Sequence, residues 1–233
     1  DSISQSWAVL SGAARPERAR QAMESVMEHL VQTDERLLLL FAPPFDKTPR
    51  DPGYIKGYVP GIRENGGQYT HAAVWSVMAF AALGEGDRAF DLFNLLSPIH
   101  HASNRAQVDR YKVEPYAVAA DIYSQPPHVG RGGWTWYTGA AAWLYRAGLE
   151  SILGFRKKGS TLKMDPCIPR HWKGFDITYQ HGETVYRITV ENPQSVCRGV
   201  SSITLDGVPL AAGAAIPLSG SGGEHHVQVV MGD

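Results

Sequence analysis

The hydrophobic period of this 233-residue chain changes once, near Gly159, and this change limits the fold more than any other feature. Between Pro16 and Thr33, apolar residues recur at i, i+3, i+4 and i+7, the spacing of one buried face of an α-helix. After Gly159 they alternate with polar residues at a period of two, which is typical of half-buried strands. The sequence therefore predicts an α+β protein with a helical domain at 1–158 and a β domain at 159–233.

The first domain is predicted to contain helices joined by long loops. Pro16 suits the first turn of a helix, and Gly84 suits the position after a last turn. The predicted helices are 16–33, 68–83, 87–96 with Asp87 as its cap, 115–123, and a last long helix that begins at Thr135 or Thr138. Successive helices with long connecting loops are typical of a helical toroid. In such a barrel the loops at one rim converge on a central pocket.

The second domain carries two hairpin signals and a closing strand. The alternating runs 175–179 and 186–190 flank His181-Gly182, a pair that favours a tight turn. Asp206-Gly207 is a second signal of the same kind, and the run 226–231 has the pattern of a last strand. These features predict a small β-sandwich.

Composition and charge exclude several classes of partner. The net charge is −1 and no long Lys/Arg run exists, so binding to nucleic acid or to an anionic membrane has no electrostatic support. No apolar run approaches the roughly 20 residues that span a bilayer. We therefore expect a soluble segment without membrane contact of its own. The chain opens at Asp1 without an initiator Met and resembles the interior of a domain, which indicates a fragment or a processed product.

The cysteine and histidine spacings indicate no metal site. Cys167 and Cys197 lack the spacing of a zinc site or a disulfide framework, which favours a reducing compartment. The pairs His100-His101 and His225-His226 lack ligand spacing too, so a surface position is expected for both.

Polar and aromatic side chains are dense in two glycine-containing stretches, each of which precedes a predicted helix. The first runs from Arg63 to His71 and the second from Gly130 to Gly139. Unpaired N–H groups at a helix N-terminus favour anions. Aromatic rings can cover the apolar faces of pyranose rings. The two stretches together predict a site for sugars and phosphate.

Three ordered motifs in these regions resemble the C-terminal region of glycoside hydrolase family 94. They are GIRENGGQYTH at 61–71, YKVEPY at 111–116 and GGWTWYTG at 132–139. This family contains the cellobiose- and chitobiose-phosphorylase-type enzymes and the phosphorylase-like domain at the end of cyclic β-1,2-glucan synthases. The run VAADIY at 118–123 and the last motif look most like the cyclic glucan synthase branch.

The resemblance implies the C-terminal part of an (α/α)6 toroid followed by a jelly-roll-like β-sandwich. It also implies an inverting phosphorolysis, in which phosphate attacks the anomeric carbon of a β-linked glucosyl unit and leaves α-glucose 1-phosphate. The residues that would bind phosphate are His71, Thr138 and Gly139. The residues that would bind the sugar are Arg63, Glu64, Gln68 and Trp136.

An inverting phosphorylase needs one carboxylic acid, because phosphate is already a nucleophile, whereas an inverting hydrolase needs two carboxylates. The family's acid is an Asp in a motif upstream of this segment. We therefore assign no acid here and expect the upstream part of the polypeptide to be required for activity. The other expected partners are a β-glucan oligosaccharide and inorganic phosphate as co-substrate, with no cofactor and no metal. The expected location is the cytoplasmic side, as the soluble part of an inner-membrane protein.

Two other functions fit the same residues. A carboxylate-pair glycosidase on the same toroid would use Glu64 with Glu114 or Asp121, and it would release glucose without phosphate. A noncatalytic glucan-binding remnant would bind sugar without turnover.

Structural roles are also open for individual site residues. His71 could cap its helix or be satisfied in the core, and Thr138 could be an N-cap only. Arg131 could reach phosphate or close its loop. Trp134 and Trp136 alternate, so one is expected to point inward and the other toward the pocket.

Overall fold

The computed structural model describes residues 1–136, 139–211 and 213–232, and they form two compact units. The first unit comprises Asp1–Leu83 and Asp91–Ala147, and the second comprises Gly84–Phe90 and Gly148–Asp233. Within the described ranges the chain is an α+β protein with six α-helices and several small sheets, as the change of period predicts.

The α-helices are α1 (Ser2–Leu10), α2 (Pro16–Leu30), α3 (Thr70–Ala82), α4 (Gly86–Leu96), α5 (Arg105–Tyr111) and α6 (Ala140–Arg146). Two 3-10 helices cover Gly53–Gly57 and Pro98–His101, and a π-helix at Ala147–Ile152 continues α6. Pro16 opens α2, as predicted, because its fixed φ suits the first turn and its missing N–H is not needed there. Gly84 follows the end of α3 with a φ of +81°, a conformation that favours glycine.

The strands of the described residues are β1 (Val31–Gln32), β2 (Leu37–Leu38), β3 (Gln68–Tyr69), β4 (Asp121–Ile122), β5 (Phe155–Lys158), β6 (Thr161–Met164), β7 (Gly174–His181), β8 (Thr184–Glu191), β9 (Ser202–Leu205), β10 (Val208–Pro209), β11 (Ile216–Pro217) and β12 (Gly223–Val230). In the first unit, β1 pairs with β2 and β3 pairs with β4. The second unit has a five-stranded sheet of order β10-β9-β12-β8-β7 and a three-stranded sheet of order β11-β6-β5.

Helix α3 forms the centre of the first unit. It is apolar on nearly all sides and contacts α1, α2 and α6. A helix of this composition is stable only when other elements cover it. Its first turn is also fixed from outside, because the Thr70 N–H donates to the Ala120 carbonyl at 2.9 Å. The second residue of this helix, His71, therefore has a well-defined position.

The second unit confirms the predicted hairpins. Antiparallel pairs β7–β8 and β9–β10 turn at Gly182-Glu183 and Asp206-Gly207, so the first turn lies one residue later than predicted. Strand β12 is longer than the predicted run 226–231 and pairs with β9 antiparallel and with β8 in parallel. Gly159, where the hydrophobic period changes, lies in the turn between β5 and β6. Side chains of the two sheets meet where Phe155 packs on Tyr179, with ring centroids 5.0 Å apart.

The predicted helix at 115–123 is wrong. This segment contains turns and then β4, and its backbone pairs with the 130–139 stretch. The Ala120 N–H donates to the Trp134 carbonyl at 2.6 Å, and the Gly133 N–H donates to the Asp121 carbonyl at 2.8 Å. A helix would use these backbone groups internally. Pairing with distant residues therefore outweighs the local helical pattern.

Several helix ends also differ from the predicted ones. Strands β1 and β3 occupy the predicted end of the first helix and the start of the second. Helix α4 begins at Gly86, so Asp87 is not its cap; its carboxylate instead accepts the Arg170 N–H at 2.8 Å and pairs with the Arg170 side chain. Helix α6 begins at Ala140 rather than at Thr135, and Thr138 lies outside the described residues. The short helices α1 and α5 are not predicted from the hydrophobic period.

His101 is buried, so a surface position is wrong for this residue. Its ring stacks on Tyr111 with centroids 5.1 Å apart and planes 18° apart. Burial, followed by the charge of Arg36, lowers the pKa of His101 to about 4. The imidazole is therefore neutral at neutral pH.

Candidate active site

Strand β4 brings the two polar stretches side by side in the first unit. On one side it pairs antiparallel with β3, which leads into α3. On the other side, Ile122 of β4 forms a bridge with Gly132. The stretches 61–71 and 130–139 therefore flank the same two-residue strand. The sequence predicts that they meet, but not that this strand joins them.

Asp121 ties the two stretches together through its carboxylate. One oxygen accepts the backbone N–H of Arg63 and the other accepts that of Trp134, both at 3.2 Å. The residue is 1% exposed. A Cβ at position 133 would overlap the carboxylate, so this close approach requires Gly133. Asp121 thus fixes the distance between the two loops.

The environment of Asp121 does not suit acid or base catalysis. Burial raises the pKa of its carboxyl group, although the hydrogen bonds from Trp134 and Arg63 favour the ionised form. Both oxygens already accept backbone N–H groups, and almost no surface remains for water or a glycosidic oxygen. Its position is that of a structural clamp.

Asn65, which the sequence analysis does not assign to the site, fixes the shape of the first stretch. Its Oδ1 accepts the Phe45 N–H at 2.7 Å, and its Nδ2 donates to the carbonyls of Phe45 and Tyr58 at 2.9 Å. The Ser124 hydroxyl donates to the Gly66 carbonyl at 2.9 Å. The available signal was an Asn beside a Gly pair, because Asn side chains often bond to turn backbones.

Arg63 and Glu64 lie together at the edge of this loop. The guanidinium carbon of Arg63 lies 5.3 Å from the ring centre of Tyr58 and 5.7 Å from that of Trp134. Its Nε is 3.6 Å from Oε2 of Glu64. This oxygen is buried and has no hydrogen-bond partner among the described residues. The cation fixed between two rings therefore stabilises a carboxylate that can still accept a hydroxyl.

Gln68 is fully buried between secondary-structure elements. Its Oε1 accepts the Leu38 N–H of β2 at 3.0 Å, and its Nε2 donates to the Thr70 hydroxyl at 3.3 Å. These bonds join β2 to the start of α3. Nothing in the contacts of Gln68 supports a role in sugar binding, and that assignment stays a prediction.

His71 lies in an aromatic cluster at the start of α3. Its ring centre is 4.8 Å from that of Trp75 and 5.6 Å from that of Trp143. Burial lowers the pKa of His71, which favours the neutral imidazole at neutral pH. Its Nε2 is buried without a hydrogen-bond partner among the described residues. The position thus differs from both a cap and a satisfied core histidine.

Gly139 lies directly beside His71. A Cβ at position 139 would be 3.6 Å from Cε1 and 3.7 Å from Nδ1 of the imidazole, which is ordinary van der Waals contact. Gly139 also precedes α6 as its N-cap, with a φ of −77°. Two of the three residues assigned to phosphate are therefore neighbours, 68 positions apart in sequence. The third, Thr138, lies outside the described residues.

Both tryptophans of the second stretch are exposed, so the predicted division into one inward and one outward ring is wrong. Trp134 is 53% exposed and Trp136 is 69% exposed. Trp134 covers Arg63, whereas the Trp136 indole N–H donates to Glu114 Oε1 at 3.2 Å. Bonds from its own backbone N–H and from Trp136 hold the pKa of Glu114 below its usual range.

Within 1–136, 139–211 and 213–232, no group of three His, Cys, Asp or Glu residues has the arrangement of a metal site. No helix among these residues has the length and apolar character needed to cross a bilayer.

Comparison with known proteins identifies the family of this chain. Residues 1–154 match the family model described as the Glycosyl hydrolase 94 superfamily, catalytic domain. The chain is 50% identical over 203 residues to the cyclic beta-(1,2)-glucan synthase NdvB of Rhizobium meliloti, covering 87% of this chain and 7% of that protein. It is 37% identical over 230 residues to the N,N'-diacetylchitobiose phosphorylase of Vibrio proteolyticus, covering 98% of this chain and 28% of that enzyme.

A solabiose phosphorylase from Paenibacillus borealis is 34% identical over 230 residues, covering 98% of this chain and 29% of that enzyme. The chain thus spans less than a third of the length of each of these relatives. The family match covers more than half of the chain and includes both polar stretches. The chain belongs to the glycosyl hydrolase 94 superfamily and carries part of its catalytic domain.

Proposed function

We propose that this chain is the C-terminal segment of an inverting phosphorylase that acts on β-linked glucans. Phosphate attacks the anomeric carbon, the glycosidic oxygen leaves with a proton from an acid, and the products are α-glucose 1-phosphate and a shortened glucan. We propose further that unit 1 completes an (α/α)6 toroid with the upstream polypeptide and that unit 2 is a jelly-roll-like sandwich. The carboxylic acid comes from the upstream part.

The observation that carries this proposal is that the His71 ring lies beside Gly139. A neutral imidazole has one N–H to donate, and the backbone at the start of α6 offers further donors. His71 Nε2 is buried and has no hydrogen-bond partner within the described residues. A buried polar atom of this kind costs stability, so its presence calls for an explanation such as a bound ligand. Donors of this kind match the oxygens of a phosphate ion.

The sugar side of the proposed site consists of Glu64 and Arg63. The Glu64 carboxylate is partly exposed and is stabilised by the Arg63 guanidinium, 3.6 Å from Oε2, which suits acceptance of a sugar hydroxyl. Glucan synthase and disaccharide phosphorylases among the relatives support a β-glucan as substrate. We propose β-1,2-linked glucan because the 50% identity is to a synthase of that linkage.

The rival carboxylate-pair glycosidase lacks a suitable proton donor beside Glu64. Asp121 is buried and both of its oxygens accept backbone N–H groups. Glu114 has a lowered pKa, which suits the base of such a pair but makes it a poor proton donor at neutral pH. Neither Asp121 nor Glu114 therefore supplies the acid that this rival needs.

The proposal also covers the co-substrate and the cellular location. We propose that inorganic phosphate is the co-substrate and that no other cofactor takes part. Cys167 and Cys197 are buried free thiols, which supports a cytoplasmic location for this segment of an inner-membrane protein.

The test uses the full-length protein that contains this chain. It is incubated with β-1,2-gluco-oligosaccharides with and without phosphate, and the anomer of glucose 1-phosphate is identified by NMR. We expect α-glucose 1-phosphate only when phosphate is present. Release of free glucose at the same rate without phosphate would support the hydrolase, and binding without turnover would support the remnant.

Gly139→Ala gives a second arm. The new methyl group fits beside His71 and the backbone is ordinary, so the melting temperature should stay close to that of the wild type. The KM for phosphate should rise because the methyl group occupies the side on which the ion would lie. An unchanged phosphate KM would remove Gly139 from the site.

A further inference from the structure

Tyr116 and Trp136 form an exposed aromatic pair outside the contact between His71 and Gly139. Tyr116 is 73% exposed and Trp136 is 69% exposed. Their ring centres are 6.0 Å apart with an interplanar angle of 64°. Two large rings kept together in this way offer apolar surface that the described residues do not cover.

The Trp136 ring is held in place at a conformational cost. Its φ is +66°, which is uncommon for a bulky residue and is found where the surroundings enforce it. The surroundings here include the 3.2 Å hydrogen bond from the indole N–H to Glu114 Oε1. The backbone N–H of Glu114 itself and the side chain of Thr135 also bond to this carboxylate. The bonded Glu114 carboxylate therefore keeps the Trp136 ring in its orientation.

The position of this pair is limited by the chain. Trp134, which covers Arg63, is two residues away, so its Cα lies within ~7 Å of that of Trp136. Gly139, beside His71, is three residues away and lies within ~11 Å. Tyr116 and Trp136 are thus at the edge of the proposed site rather than in a separate region.

We propose that Tyr116, Trp136 and Glu114 form an outer glucan subsite, which binds a pyranose ring of the substrate away from the bond that is cleaved. This inference rests on the proposed function. The aromatic rings would cover the C–H face of the sugar, and Glu114 would hold the Trp136 ring in position through its hydrogen bond from the indole N–H. A carboxylate repels phosphate and nucleic acid, so a neutral, hydroxyl-rich ligand fits best.

The test measures how affinity depends on glucan length. Binding of the β-1,2-linked disaccharide and hexasaccharide to the full-length protein is measured by calorimetry without phosphate. We expect Trp136→Ala and Tyr116→Ala to weaken hexasaccharide binding about 10-fold and disaccharide binding less than about 2-fold. Glu114→Gln should show the same length dependence with a smaller loss.

Tyr145→Ala is the matched control, because Tyr145 is also 69% exposed but lies on α6. It should bind both sugars like the wild type. Equal losses for both sugar lengths, or no loss in folded Trp136→Ala and Tyr116→Ala variants, would overturn the subsite. If Trp136→Ala fails to fold, the length dependence of binding in Tyr116→Ala and Glu114→Gln tests the subsite.

The two proposals fail in different ways. Length-dependent binding without phosphorolysis would contradict the proposed function and retain the subsite. Phosphorolysis with no change in how the variants' affinity depends on glucan length would retain the function and contradict the subsite.

Discussion

The two units differ in how they treat buried polar side chains. In unit 1, seven buried side-chain atoms lack a hydrogen-bond partner among the described residues, whereas in the described part of unit 2 none does. They are Ser2 Oγ, Arg36 Nε, Glu64 Oε2, His71 Nε2, Trp75 Nε1, His101 Nε2 and Glu114 Oε2. Unpartnered buried groups are costly, so their concentration in one unit needs an explanation.

Buried Asn residues show that unit 1 is not simply less well packed. Asn65 in unit 1 and Asn192 in unit 2 are both fully buried, and each makes three hydrogen bonds to backbone groups. The side chains that hold loops are therefore satisfied in both units. The unsatisfied atoms in unit 1 include those of Glu64, His71 and Glu114, which the proposals place against phosphate or sugar. Asn65 therefore holds the site together, whereas Glu64, His71 and Glu114 are the residues that the proposals assign to ligand binding.

The largest effect is expected for His71→Ala. Loss of one donor to an anion in a largely buried pocket should lower kcat/KM for phosphate about 30- to 1,000-fold, or about 2–4 kcal/mol. The measurement is initial-rate kinetics against phosphate in the forward direction and against glucose 1-phosphate in reverse. His100→Ala serves as the control. Wild-type phosphate kinetics in a folded His71→Ala variant would return His71 to a packing role.

His101 should show the next largest effect, on stability rather than on catalysis. Its pKa is about 4 in the folded protein, below the ordinary value of 6.5, so the unfolded chain binds the proton more readily. The contribution of neutral His101 to the free energy of unfolding is fully present above pH 6.5. It is lost as the pH falls toward about 4, by up to roughly 3 kcal/mol.

Denaturant unfolding of the wild type and His101→Gln between neutral pH and pH 4 tests this prediction. The variant should lose less stability over that range, because Gln does not titrate. Identical pH slopes would show that the buried His101 is not a source of acid sensitivity. The expected, smaller loss in His101→Gln would show that the unpartnered Nε2 of His101 reflects a structural cost in unit 1 and not a ligand site.

Asp121→Asn should have an intermediate effect. The amide nitrogen of Asn cannot accept an N–H, so one of the bonds to Arg63 and Trp134 is lost, at a cost of about 1–3 kcal/mol. Because the clamp sets both loops, kcat/KM should fall for phosphate and for glucan together. Asp109→Asn, at an exposed position, is the control, and a loss confined to one substrate would contradict the clamp.

The smallest effect is expected for Tyr186→Phe in unit 2. The Tyr186 hydroxyl accepts the Ser219 N–H at 2.7 Å, and its removal should cost about 1 kcal/mol of unfolding free energy. Kinetics toward phosphate and glucan should not change. A kinetic loss at unchanged stability would show that unit 2 takes part in the reaction and would weaken the contrast between the units.

The sequence by itself determined the elements whose signals are local. Pro16 opens α2, and Gly182 and Asp206-Gly207 lie in the turns of their hairpins. These elements follow from the sequence because φ preferences and side-chain alternation act over a few residues. The motifs at 61–71 and 132–139 were also sufficient to identify the family. Local patterns therefore predicted the α+β class, and the resemblance of the motifs to the family supplied the candidate site residues.

The tertiary structure alone decided what holds the site together. Strand β4 replaces a predicted helix because its backbone pairs with residues at least ten positions away. Asp121 reaches Arg63 across 58 positions, and β12 pairs in parallel with β8. Hydrogen bonds between distant residues leave no periodic trace in sequence, so periodicity could not reveal Asp121 as a clamp, Gln68 as a buried link or Trp136 as an exposed ring.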